Sequence, residues 1–148
     1  MKGSRRRSRE FCLQGLYQWL LNPSGPEELL AQLAEAEDFD KADREYFEAL
    51  LRGSLRDAEA LHARLQPCLD RKIEELSPVE HALLLMAACE LSTQPQTPYR
   101  VVINEAVELA KSYGGTDGHK YVNGVLDRLA ATLRPQEVAA RHTAKSRS

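Results

Sequence analysis

Ser77-Pro78-Val79-Glu80-His81-Ala82-Leu83-Leu84-Leu85-Met86-Ala87-Ala88-Cys89 carries the clearest structural signal in the chain. A serine before a proline, with a glutamate three residues on, is a helix start. The hydroxyl caps the amide of residue 80, proline suits the first helical position, and the Glu80 carboxylate reaches back to the cap. From Ala82 to Cys89 the helix is then apolar on every face. Such a helix belongs inside a bundle or at an interface. It falls short of the ~20 apolar residues that cross a bilayer, so it reads as a central core helix.

The flanking sequence supplies helices to surround it. Cys12, Leu16, Trp19 and Leu20 recur at helical spacing and predict a helix over about 4–21. Asn22-Pro23-Ser24-Gly25-Pro26 ends it and opens a short helix through Leu33. Asp40 or Asp43 caps a helix expected over about 44–65, broken at Pro67, with a shorter helix over about 68–75. Downstream, Thr97-Pro98 starts a helix to Tyr113, and Gly114-Gly115 ends it. Asp117 caps a last helix whose inward stripe is Val122, Val125, Leu126 and Leu129, closed by Pro135. Residues 135–148 read as a basic, disordered tail. Val and Ile are sparse while Leu, Ala, Glu and Arg abound, and no convincing strand remains. The expectation is one all-α domain over 1–134, a compact bundle of about seven helices.

The net charge of -2 conceals an asymmetry. Residues 1–9 carry +5, residues 134–148 carry +3, and the body between them therefore carries -10. Basic ends on an acidic body suit a polyanion held at one place and repelled elsewhere. Arg5, Arg6, Arg7 and Arg9 crowd the start of the first helix, against its macrodipole, so an anion is expected to offset them. The plainer alternative is a solvated tail. Asp117, Lys120 and Tyr121 open the last helix, where free amides and a lysine make a phosphate seat. Tyr121 falls just outside the apolar stripe, and Tyr17 holds a similar boundary position on the first helix. Cations for phosphates and rings for bases point to single-stranded nucleic acid.

Other chemistry finds little support. Cys12, Cys68 and Cys89 are odd in number and far apart, without Cys-x-x-Cys spacing, which fits structural thiols in a reducing cytoplasm and no metal site. There is no phosphate-binding glycine loop and no nucleophile elbow, so no enzyme activity and no cofactor are expected. Glu74-Glu75 and Glu105/Glu108 read as solvated helix faces, and His81 as a packed or rim histidine. Asn104 and Asn123 read as buried amides and Gly124 as a point of close helix contact.

Several phrases carry a resemblance. Arg5-Arg6-Arg7-Ser8-Arg9-Glu10 with Leu16-Tyr17 is the first, Leu76-Ser77-Pro78-Val79-Glu80 the second, and Glu90-Leu91 the third. The long runs from Pro98 to Gly114 and from His119-Lys120-Tyr121-Val122-Asn123-Gly124 to Asp127 complete the set. In these the chain resembles the NusB family of bacterial transcription antitermination factors. The resemblance implies an all-helical fold of two packed sub-bundles. It implies binding to boxA, a short single-stranded element of nascent ribosomal RNA leaders. It also implies a ribosomal small-subunit protein partner, NusE, and a complex on RNA polymerase that suppresses premature termination. Carried over by position, Arg5, Arg6, Arg7, Arg9, Tyr17, Asp117, Lys120 and Tyr121 face RNA, and Glu74, Glu75 and Glu80 face the protein partner. Tyr121 stands where phenylalanine is common in the family, Leu85 where arginine is common, and Cys68 where some members have an aromatic. Members are monomers or homodimers, and no residue decides between them here.

Overall fold

The Ser77 start forms as its chemistry requires. Ser77 Oγ accepts from the Glu80 amide at 3.2 Å, and Glu80 Oε1 accepts from the Ser77 amide at 3.4 Å. The helix it launches, Pro78–Thr93, has every residue from Ala82 to Leu91 buried. A computed structural model describes residues 3–113 and 117–147 of the chain. Among them are eight α-helices, three short 3-10 turns and no strand beyond an isolated bridge between Ser4 and Ala42. The helices are α1 (Arg5–Leu21), α2 (Pro26–Ala34), α3 (Arg44–Arg56), α4 (Ala58–Leu65), α5 (Pro78–Thr93), α6 (Tyr99–Tyr113), α7 (Gly118–Leu133) and α8 (Pro135–Arg147).

α5 is the axis. It packs against α1 and α3 in one sub-bundle, and against α4, α6 and α7 in the other. The first sub-bundle is sealed by Phe11, Phe39 and Phe47, whose rings meet edge to face at 5.2–6.4 Å. Leu83, Leu84 and Leu85 are fully buried. Leu85 thus lies deep in the core, where an arginine would lack solvent. Truncating any one of these leucines to alanine costs ~2–5 kcal/mol.

Three local expectations differ from what forms. The single helix over 44–65 is two, because the chain turns at Asp57. Its amide closes α3 on the Gly53 carbonyl, and its own carbonyl opens α4 through the Leu61 amide. The turn lets Gly53 settle against α5, where a Cβ would lie 2.9 Å from Cys89 Sγ, while Leu61 and Leu65 bury in α4. Residues 68–75 form no α-helix but 3-10 turns at Gln66–Cys68 and Ile73–Glu75. Pro67 removes a donor, and the Gln66 side-chain amide bonds the Arg71 carbonyl (2.8 Å) and the Ile73 amide (3.2 Å) instead. Of the two caps expected for α3, Asp43 is the one that forms, accepting from the Tyr46 amide at 3.2 Å.

The third difference is the tail, which is helical as α8 over Pro135–Arg147. Its first turn is tied down. Arg134 donates to the carbonyls of Leu91, Gln94 and Thr97 at 2.9–3.0 Å, and to Glu137 at 2.6 Å. Glu137 in turn accepts from the Tyr99 amide at 2.7 Å, satisfying a donor at the start of α6. The expected stop at Gly114-Gly115 lies outside the described residues. All three cysteines are free and buried, and burial pushes their thiols up. Among the described residues no helix is long and apolar enough to cross a membrane.

Candidate nucleic-acid interface

Ser4 caps α1 by accepting from the Arg7 amide at 3.2 Å, which puts three arginines on the first turn. Each meets an acid of this chain. Arg6 forks onto Glu105 of α6 at 2.9–3.2 Å, with 67% of its side chain still exposed. Arg7 pairs with Glu10 at 2.6 Å and with Asp38. Arg5 lies 3.9 Å from Asp43, its guanidinium 4.3 Å over the Tyr46 ring. The offsetting charge expected from an external anion is thus partly supplied from within, because α3, α6 and the preceding loop place carboxylates beside the turn.

Arg9 is a correction. Expected at the RNA face, it is 3% exposed. Nε and Nη2 fork onto Glu90 of α5 at 2.6–2.9 Å, and Nη1 reaches Glu105 at 3.3 Å. The Tyr46 hydroxyl closes the network on Glu90 and Thr97. Burial works against the Arg9 charge, but Glu90 outweighs it and holds the guanidinium above its usual pKa. Burial, then the Glu90 hydrogen bond, pushes the Tyr46 phenol up to about 12. Arg9 therefore joins α1, α3, α5 and α6 and offers no fork to a ligand.

From Arg6 a cleft of about 220 Å³ runs between α1 and α6, lined by Arg9, Glu10, Glu105, Glu108, Leu109 and Ser112. A second hollow, of about 410 Å³, is walled by Leu13, Gln14, Tyr17 and Gln18 of α1 with Val79 and Tyr113. Tyr17 is 38% and Tyr113 50% exposed there, so both rings are accessible. Val79 leads to Glu80 at the start of α5. Glu80 meets the start of α7, where a Cβ on Gly118 would lie 3.5 Å from its carboxylate. Among the described residues no hydrogen bond or ion pair joins the Arg5–Arg7 patch to Tyr121.

At the α7 end Tyr121 is partly exposed. Its hydroxyl donates to Asp70 at 3.0 Å, and the Arg71 guanidinium lies 4.4 Å over its ring. Arg71, then Tyr121, pulls the Asp70 carboxyl down to about 2. Lys120 and Asp117 are the most exposed of this group and pair loosely at 3.5 Å. Asp117 makes no side-chain cap, contrary to expectation. Its backbone carbonyl accepts from the Lys120 and Tyr121 amides while its carboxylate turns to Lys120. Arg71 was missed. It lies in a loop without periodicity, and its adjacency to Lys72 was the only signal available.

The three glutamates expected to meet a protein partner differ. Glu75 caps its own 3-10 turn through the Lys72 amide, and Glu80 caps α5. Glu74 is exposed. Asn104 is exposed rather than buried, and Asn123 is half-buried with one long contact to Asp127. Gly124 makes no close helix contact, since a Cβ there meets only Arg128, at 3.7 Å. Among the described residues no group of three or more histidine, cysteine or acidic side chains is arranged to hold a metal ion.

Comparison with known proteins places this geometry. The model of the NusB family matches residues 6–131. A transcription antitermination protein NusB from Paraburkholderia phytofirmans is 63% identical over 140 residues, covering 95% of this chain and 97% of the relative. One from Burkholderia ambifaria is 58% identical over the same length. Among solved structures, Thermotoga maritima NusB superposes with a TM-score of 0.80 at 32% identity, over 88% of this chain and 92% of that one. A chain from a crystal structure of antitermination factors NusB and NusE with double-stranded RNA gives 0.76 at 28% identity, over 86% and 96%. The match spans nearly the whole chain at high identity, and this chain belongs to the NusB family.

Proposed function

We propose that the chain is an RNA-binding transcription antitermination factor without catalytic activity. It binds the boxA element of nascent ribosomal RNA leaders together with the ribosomal protein NusE, within a complex on RNA polymerase that suppresses premature termination. The observation that carries this reading is the pairing of exposed cations with accessible rings at two helix starts: Arg5–Arg7 on α1 with Tyr17 further along it, and Lys120 with Arg71 and Tyr121 at α7. Such pairing suits phosphates and unstacked bases. Arg5, Arg6, Arg7, Lys120 and Arg71 serve as phosphate contacts, Tyr17 and Tyr121 as ring contacts, and Asp117 holds Lys120. Arg9 acts as scaffold. The α1–α6 cleft is rich in acid, with Glu10, Glu105 and Glu108, so a basic protein docks against the acidic body, with Glu74, Glu75 and Glu80 as its contacts, while RNA holds the cationic ends.

Labelled leader RNA titrated with the protein tests this, using wild-type, scrambled and duplex forms with and without NusE. Wild-type single strand is expected to bind most tightly and to tighten with NusE. Equal affinity for all three RNAs, unmoved by NusE, sinks the reading. Sedimentation of the free protein decides between monomer and homodimer.

A further inference from the structure

Asp70 and Arg71 lie in the bend between the 3-10 turns Gln66–Cys68 and Ile73–Glu75. Their side chains are exposed, but the loop that carries them is pinned. The Gln66 side chain bonds the Arg71 carbonyl and the Ile73 amide, and Arg128, further along α7 from Tyr121, donates from Nε to the Cys68 carbonyl at 2.9 Å. The loop is thus fastened to the helix that bears Tyr121. On that base one carboxylate gathers three donors. Asp70 Oδ1 accepts from the Tyr121 hydroxyl at 3.0 Å and from Arg71 Nε at 2.7 Å, and Oδ2 accepts from Arg71 Nη2 at 3.3 Å. The Arg71 guanidinium then sits 4.4 Å over the Tyr121 ring. A fork between adjacent residues recurs at Arg56–Asp57, at 2.9–3.1 Å, without a ring contact among the described residues. Exposed pairs of this kind are individually weak, but a carboxylate that binds both groups biases them towards one arrangement. Asp70 also works against the RNA face, since a carboxylate there repels phosphate and offsets the Arg71 charge.

We infer, resting on the RNA-binding reading above, that Asp70 is a positioning residue. By holding Tyr121 and Arg71 together it builds a platform of guanidinium on ring, and one unstacked base of the RNA stacks on the outer face of that guanidinium. Nε and Nη2 are engaged by Asp70, so Nη1 is left for a phosphate oxygen and Arg71 acts as a plane as well as a charge. Ordering both groups before the RNA arrives spares the complex that cost.

Fluorescence anisotropy of labelled single-stranded leader RNA with full-length variants tests this through the sign of the effect. An acid that only repels phosphate gives tighter binding when it is removed. Asp70→Ala and Asp70→Asn are instead expected to weaken binding about three- to tenfold, with the helical spectrum intact. Asp57→Asn, which removes an adjacent-residue fork without a ring, is expected to weaken nothing. Tyr121→Phe keeps the ring and loses the hydroxyl, so its effect and that of Asp70→Ala are expected to sum to less than their separate losses. Arg71→Lys keeps the charge and the salt slope but loses the plane, and weakens binding by a similar factor. Unchanged or tighter binding in both Asp70 variants, or an equal loss in Asp57→Asn, overturns the positioning role. Strict additivity of Tyr121→Phe with Asp70→Ala overturns the shared contact, and wild-type affinity in Arg71→Lys overturns the platform. Each of these results leaves the RNA-binding reading standing, whereas absence of leader binding by the unmutated protein overturns both.

Discussion

The two ends of the proposed RNA face use the same residue types in opposite ways. At the α1 end an arginine and a tyrosine, Arg9 and Tyr46, are sealed around Glu90. At the α7 end an arginine and a tyrosine, Arg71 and Tyr121, meet around Asp70 in contact with solvent. In the first cluster the charges have lost their water, and the geometry is fixed because nothing else can satisfy them. In the second, water competes with every contact, so the ring and the guanidinium are held loosely and remain open to a ligand. Residue type alone therefore does not make a binding residue. Access to solvent decides whether a cation is scaffold or contact.

The sharpest way to break this contrast is Glu90→Gln. Leaving Arg9 buried without its carboxylate is expected to cost ~3–5 kcal/mol in urea unfolding followed by circular dichroism. A loss under about 1 kcal/mol means that Arg9 reaches solvent and belongs with the contacts after all. Next comes Tyr121→Ala, expected to weaken binding of single-stranded leader RNA by ~1–3 kcal/mol with the helical spectrum intact. An unaltered Kd in a folded variant removes Tyr121 from the interface.

A smaller effect concerns charge. With Arg5, Arg6, Arg7, Arg71 and Lys120 engaged, the plot of log affinity against log salt for a single strand has a slope of about -3.5. Replacing any one of the five by alanine is expected to flatten it by about 0.7. A salt-independent affinity counts against all five. The smallest signal is the titration of Asp70, followed by carboxyl NMR. Its folded pKa of about 2 lies below the ordinary 3.8. The linkage therefore favours the fold above that ordinary value and is lost as pH falls from there towards 2. A midpoint near 3.8 shows that the Tyr121–Asp70–Arg71 contact is rarely formed.

Much of the fold could be read in the chain. The Ser77-Pro78-Val79-Glu80 start, the buried α5 and the apolar stripes of α6 and α7 are local patterns, set by spacing and capping chemistry within a few residues. The break at Asp57 left no such mark in the apolar spacing; in the structure Gly53, one turn before it, sits where a Cβ would lie 2.9 Å from Cys89 Sγ, far along the chain. The helical state of 135–147 was hidden for a similar reason. Its sequence is hydrophilic, and its first turn is fixed by Arg134 and Glu137 binding the α5–α6 connection. At the site, Arg5, Arg6, Arg7, Lys120, Tyr17 and Tyr121 are exposed or half-exposed at the surface, as the sequence led one to expect. Arg9 and Arg71 exchanged roles because exposure depends on partners remote in sequence.

Residue type at fixed spacing accounts for the helices, their apolar faces and the cationic character of the chain's beginning. Which cations keep their water is settled by packing. That depends on which carboxylates other helices bring within hydrogen-bonding reach: Glu90 lies 81 residues from Arg9, and Glu105 lies 99 residues from Arg6.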